Sequence, residues 1–149
     1  MAASIFVYNS WSRNIARAAD LSSTTFNVSL HTSAYTPNQD THEAFADATN
    51  QLTTANGYTA GGQALASVTW NRAAAVTTFD AADTVWNATG AGITARYAII
   101  RAVGTLNAIV DPLVAYILMD NTPADVTVPA GNPLTLQWNA SGIFTVTRT

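Results

Sequence analysis

The densest grouping of ionisable side chains is Asp40-Thr41-His42-Glu43, an imidazole between two carboxylates, with a second histidine, His31, earlier in the chain. Histidine nitrogen and carboxylate oxygen are the donors a divalent metal takes. The segment supplies only one histidine, and the same residues read equally well as a helix N-terminus with its acids on the positive end of the dipole. That second reading is the expectation, with no metal and no cofactor. Asp80 and Asp83 offer two carboxylates for general acid–base work. They sit in Phe79-Asp80-Ala81-Ala82-Asp83, which reads as a tight turn where aspartates bond their own backbone. His31 falls on the polar side of an alternating strand, the ordinary place for a solvent or interface histidine. Trp11, Trp70, Trp86 and Trp138 carry rings able to stack on sugar, but Trp70 and Trp138 lie in apolar alternation and are expected in the core.

The sequence has no G-x-S-x-G, P-loop or dinucleotide fingerprint, and Gly61-Gly62 alone does not specify a phosphate site. Asn27-Val28-Ser29, Asn87-Ala88-Thr89 and Asn139-Ala140-Ser141 match the glycosylation acceptor pattern, as chance provides in a chain this rich in Ser, Thr and Asn. No constellation specifies a reaction class, so the expectation is a protein that is not an enzyme.

The elements that position these residues are mostly strands. Trp11, Ile15 and Ala18 recur at helical spacing and predict a short helix from Asn9 to Ala19, with Asn9 or Ser10 as cap and Asp20 after its end. Thr24 to Thr32 alternates, Phe26, Val28 and Leu30 against Asn27, Ser29 and His31, and predicts a half-buried strand. Residues 33–63 form a long connection, with one or two helical turns expected in Thr41 to Ala48. Connections of this length serve function or an interface. Strands are then expected at Leu65–Asn71, Ala75–Asp80, Thr84–Asn87, Ile93–Val103, Pro112–Asp120, Ala124–Val128, Leu134–Asn139 and Ile143–Arg148. Within Ile93–Val103, Ile93, Ala95, Tyr97, Ile99 and Arg101 share one predicted face. The Leu113–Met119 run lacks alternation, which predicts a central strand buried on both sides. The fold class expected is mainly β: one antiparallel β-sandwich (jelly-roll or Ig-like barrel) with a short N-terminal helix, a single domain over residues 1–149.

Composition agrees with a packed domain. Hydrophobic residues are 48% and charged residues 10%, against roughly 25% charged in ordinary soluble domains. All six basic residues are arginines, and the net charge is -3, which argues against attachment to nucleic acid or an anionic membrane. Without cysteine there is no disulfide framework or thiolate site. The first residues lack the basic-then-apolar pattern of a secretory signal, and the longest apolar run is too short for a membrane span. A soluble protein is expected. The neutral, Thr-rich surface suits faces covered by other proteins.

Several phrases, read in order, resemble a family of small structural proteins in tailed-bacteriophage virions. They are Tyr8-Asn9-Ser10-Trp11, Asp20-Leu21-Ser22, Phe26-Asn27-Val28-Ser29-Leu30, and Ser33-Ala34-Tyr35-Thr36-Pro37-Asn38-Gln39-Asp40-Thr41-His42. Gly57-Tyr58-Thr59-Ala60-Gly61-Gly62, Ile93-Thr94-Ala95-Arg96-Tyr97-Ala98 and Leu136-Gln137-Trp138-Asn139-Ala140-Ser141-Gly142-Ile143-Phe144 complete the set. Trp11 stands where the resemblance leads one to expect Phe, and residues 73–75 and 105–110 also depart from it. The resemblance implies a capsid decoration or cement protein that binds the major capsid protein and stabilises the shell. It also implies a homo-oligomer, with a trimer favoured, on the capsid surface of a virion made in the host cytoplasm. The 33–63 segment is the expected contact region, with Tyr35, Pro37, Asn38, Gln39, His42 and Tyr58 as candidate interface residues. The alternative expectation is a phage fibre, spike or adhesin component that binds a host surface glycan, which requires exposed tryptophans.

Overall fold

A computed structural model describes residues 3–17 and 21–147. Along the chain, β1 (Ser4–Val7) leads into α1 (Asn9–Arg17) and β2 (Phe26–His31). After a single 3-10 turn (Phe45–Asp47) come β3 (Gln63–Ala64), β4 (Thr69–Ala73), β5 (Val76–Asp80) and β6 (Thr84–Asn87). Then follow β7 (Ile93–Ala95), β8 (Tyr97–Ala102), β9 (Thr105–Leu106), β10 (Ile109–Val110) and β11 (Leu113–Leu118). The last three are β12 (Val126–Val128), β13 (Pro133–Leu136) and β14 (Phe144–Thr147). The protein is mainly β, antiparallel throughout its described pairings, with one short N-terminal helix.

One layer is a five-stranded sheet in the order β1-β11-β8-β2-β3. Opposite it lie a three-stranded sheet, β14-β5-β4, and two ribbons, β13-β6 and β12-β7. Their inward residues meet in one core that joins Trp11, Phe26, Trp86, Ile100, Ile117 and Trp138. Aromatic rings tie the layers together: Phe26 lies 5.0 Å from Phe79, and Phe79 lies 4.6 Å from Trp70 and 5.0 Å from Phe144. Edge-to-face and tilted pairs at such spacing add specific attraction beyond area burial. Trp11, with its ring edge-on to Phe26, anchors α1 across the end of this core.

β11 lies between β1 and β8, which explains its unbroken apolar run. Val114, Ile117 and Met119 enter the main core, whereas Leu113 and Tyr116 belong to a second cluster on the other face. That second cluster also contains Tyr8, Tyr35, Ala48 and Ile99. Residues 33–51 therefore roof the outer face of the five-stranded sheet.

Three expectations need correction. The predicted strand Ile93–Val103 is two strands, broken at Arg96, and its faces switch there. Ile93 and Ala95 enter the main core, but beyond the break Ala98, Ile100 and Ala102 do so, and Ile99 turns to the roof. The Arg96 amide donates to the His31 carbonyl at 2.9 Å and its guanidinium pairs with Asp125 at 2.7 Å, fixing the crossing between layers. The predicted strand Leu65–Asn71 is replaced by β3 and β4, with Ser67 at positive φ between them. The helical turns expected in Thr41 to Ala48 reduce to Phe45–Asp47. β1 and the β9–β10 hairpin had no clear sequence signal. The predicted positions Ala18, Ala19 and Asp20 at the helix end, and Arg148 in the last strand, lie outside the described residues.

Candidate functional site

The segment singled out by sequence, residues 33–63, folds back on the five-stranded sheet in two places. Its first half runs over the sheet face. Thr32 donates to the Asn50 carbonyl at 3.0 Å and Leu52 to the Leu30 carbonyl at 2.9 Å, so residues 50–52 cover the second half of the β2 edge. β3 covers the first half. Tyr58 locks the two together, because its hydroxyl accepts from the Leu30 amide at 3.1 Å and from Gln51 Nε2 at 2.7 Å.

Beneath the roof is a chain of polar groups. The Tyr8 and Tyr35 hydroxyls are 2.8 Å apart, and the Tyr35 hydroxyl is 2.9 Å from His42 Nδ1. Donation from Tyr8 to Tyr35 and from Tyr35 to His42 satisfies all three atoms. Burial holds the Tyr8 hydroxyl well above the usual phenol range, and its hydrogen bond to Tyr35 adds to the shift. Burial likewise raises Tyr35 and Tyr58. These phenols are structural hydrogen-bonding groups at neutral pH.

His31 is fully buried, which corrects the expectation of a solvent or interface histidine. Its Nδ1 donates to the Thr49 carbonyl at 2.8 Å, and Nε2 accepts from the Ser29 hydroxyl at 3.0 Å. A carbonyl can only accept, so the Thr49 contact fixes the tautomer. Desolvation lowers the imidazole pKa, and the nearby Arg101 cation pushes in the same direction. Arg101 is itself mostly covered, with its guanidinium carbon 3.8 Å from the centre of the Phe45 ring. Its Nη2 reaches the Gly61 carbonyl at 3.4 Å, and the Asp111 carboxylate lies 4.0 Å from its Nε. Ser29 and His31 on the polar side of β2 are thus buried beneath the loop, each with a hydrogen-bond partner there.

The six candidate interface residues have different fates. Tyr35 and Tyr58 are buried, at 1% and 2% exposure; the Tyr35 ring packs in the roof cluster and the Tyr58 ring in the main core beside Trp86. Gln39 is half-buried and donates to the Val7 carbonyl at 2.7 Å. His42 is half-buried on Tyr35, and Pro37 is half-buried. Asn38 is exposed, and its side-chain oxygen accepts from the amides of Asp40 and Thr41 at 3.0 and 3.1 Å, shaping the turn.

The would-be metal cluster is dispersed among separate partners. Asp40 accepts from Asn9, His42 meets Tyr35, and Glu43 pairs with Arg13 at 3.0 Å. Asp47 caps the adjoining turn: its carboxylate accepts from the Ala44 and Glu43 amides, which lowers its pKa. Asp80 accepts from the Ala81 amide at 2.9 Å, as a turn aspartate does, whereas Asp83 reaches across to the Trp138 amide at 2.9 Å. Trp11, Trp86 and Trp138 are buried and Trp70 is partly buried, so they do not form an exposed stacking platform.

Sequence reasoning missed Tyr8, which bonds to Tyr35, and Arg101, which stacks on Phe45 of the roof. The available signal was the pairing of a polar strand face, Asn27-Ser29-His31, with a long neighbouring connection that carries Tyr35, Phe45 and Tyr58. In comparisons with known proteins, no family model, curated protein or solved structure matches the chain.

Proposed function

We propose that the chain is a structural protein of a bacteriophage virion, a capsid decoration or cement protein that binds the major capsid protein and stabilises the shell by interface burial. The observation that carries this reading is the run of phrases from Tyr8 to Phe144 that resembles small virion proteins. Its physical support is the distribution of charge. Residues 48–71 and 126–147 contain no Asp, Glu, Lys, Arg or His. These segments supply β3, β12, β13, β14 and part of β4. Neutral surface can be covered by another protein without the desolvation cost of stranding a charge.

The roof changes where contact is expected. Residues 33–63 remain on the surface at Asn38, Thr41, Thr53 and Thr59, but their large side chains point inward. Contact therefore falls on the short polar tips and on the neutral sandwich faces. A trimer at a local three-fold position places such faces both against sister copies and against the lattice below. The experiment is mass spectrometry of purified phage particles, with the chain quantified against the major capsid protein. A fixed stoichiometric ratio supports the reading, and absence from intact particles overturns it.

A further inference from the structure

The two layers do not close along one side. There, β1 forms one lip and residues 135–147, running through β13 and β14, form the other. A cavity of about 460 Å³ lies between Ala3, Ile5, Ile117 and Met119 on one side and residues 135–139 on the other. A second, of about 310 Å³, continues past Val7 between Trp11, Ser12 and Ile15 of α1 and residues 144–147. Among the described residues, none that lines either cavity is ionisable.

The hydrogen-bond phase of the lips decides what fits. Tyr8 donates to the Val114 carbonyl at 3.0 Å. Antiparallel pairs alternate, so Phe6 and Ser4 also bond to β11, while Ile5 and Val7 turn their amides and carbonyls away from it. Gln39 occupies the Val7 carbonyl. The Ile5 amide and carbonyl have no partner among the described residues. On the other lip, Ala88 donates to the Asn132 carbonyl at 3.0 Å. The same alternation gives Leu134 and Leu136 to β6 and turns Thr135 outward. Trp138 bonds back to Asp83, so Gln137 turns outward as well. The contrasting edge of β6 is covered: Gln63 Nε2 reaches the Val85 carbonyl at 2.9 Å, and Gly57 packs against the Asn87 carbonyl.

We infer that this seam is a docking site for an extended, uncharged peptide strand, apolar at alternate positions, supplied by a partner protein. The open backbone on Ile5 and Thr135 supplies ladder hydrogen bonds, as in strand addition to a sheet edge. The floor made by Ile117, Met119 and Trp138 takes alternate side chains, and the lack of ionisable groups among the described lining residues selects against charged ones. β1 spans about 13 Å at the usual strand rise, enough to pair with a segment of similar length. This inference does not rest on the virion reading, since the seam can bind peptide whether or not the protein belongs to a particle.

The test uses the full chain and a capped synthetic hexapeptide, acetyl-(Val-Thr)₃-amide, followed by amide-resolved NMR. Expected are shifts centred on Ile5, Thr135 and Gln137, with slowed hydrogen exchange of the Ile5 and Thr135 amides. An N-methylated peptide, or one with glutamate in place of valine, is expected to bind at least about tenfold more weakly, the loss of one net hydrogen bond. Thr135→Pro removes only an outward amide and is expected to weaken binding similarly. Should circular dichroism show that this variant is unfolded, Gln137→Glu, which sets a charge at the exposed rim, serves instead with the same expectation. Failure to bind at millimolar peptide, binding indifferent to N-methylation, or shifts away from the seam overturns the inference. Dimerisation without peptide that protects the same amides also overturns it, by making a second copy the occupant.

Discussion

Acid should loosen the roof through His31. The imidazole is buried in its neutral form, with Nδ1 committed to the Thr49 carbonyl and Nε2 to the Ser29 hydroxyl. Tyr35 and Phe45 pack near its ring, and Arg101 adds an unfavourable positive charge. The folded pKa is thus lowered below the ordinary 6.5, so the unfolded chain takes up the proton first as pH falls. The stability contributed by the neutral ring is complete above pH 6.5 and is lost as pH falls from there towards the lowered folded value. In that window the slope approaches about 1.4 kcal/mol per pH unit for one proton. With a urea dependence of about 1–3 kcal/mol per molar, the unfolding midpoint moves by roughly 0.5–1.4 M per unit. The assay is urea unfolding between pH 7.5 and 5.0 for the native chain and for His31→Gln, which keeps a donor and an acceptor but cannot titrate. Asp47 and Asp120 have pKa values lowered from 3.8, so their stabilising effect is lost at lower pH and does not contaminate the window. The native chain should lose more stability than the variant as pH falls. Parallel curves would show that His31 does not carry the acid sensitivity.

Other perturbations separate the remaining contributions. Tyr35→Phe leaves the Tyr8 hydroxyl and His42 Nδ1 without their shared partner, and should cost about 1–3 kcal/mol in chemical denaturation. Gly62→Ala places a methyl 2.0 Å from the Val28 carbonyl oxygen at φ +75°, whereas Gly104→Ala meets nothing within 4 Å at φ +104°. Both incur left-handed strain of about 1–2 kcal/mol, so the measured excess at Gly62 in thermal unfolding reports the clash alone. Arg101→Met exchanges a poorly paired, largely covered guanidinium for an apolar chain of similar length. Denaturation should move by no more than about 1 kcal/mol in either direction. Deleting residues 38–56 uncovers Ile99, Leu113 and Tyr8, and should abolish cooperative unfolding measured by near-ultraviolet circular dichroism.

The sequence revealed the sandwich wherever one strand face is dry and the other wet. Val85 and Asn87 alternate with Thr84 and Trp86, and Thr135 with Leu134 and Leu136, so β6 and β13 follow directly from period two. It misled where a second cover hides the polar face. Ser29 and His31 look solvent-facing by pattern, yet both are buried, because a roof can satisfy them with Thr49 and with one another. The face switch at Arg96 is a long-range effect: the residue holds His31 and Asp125, which lie far away in the chain. β1 was hidden because four partly buried residues give too short a period to distinguish from an irregular lead-in. The seam was illegible for the same reason, since its lips become edges only once β11 and β6 have taken their partners.

The virion reading, with its neutral faces covered by capsid, meets its most direct test in a cryo-electron microscopy map of purified phage particles resolved well enough to place the β-sandwich. Density for the chain is expected on the outer shell, bridging major capsid subunits in a fixed copy number with neutral faces against the lattice. Density confined to a fibre or spike, or no density for the chain in any part of the particle, would contradict it.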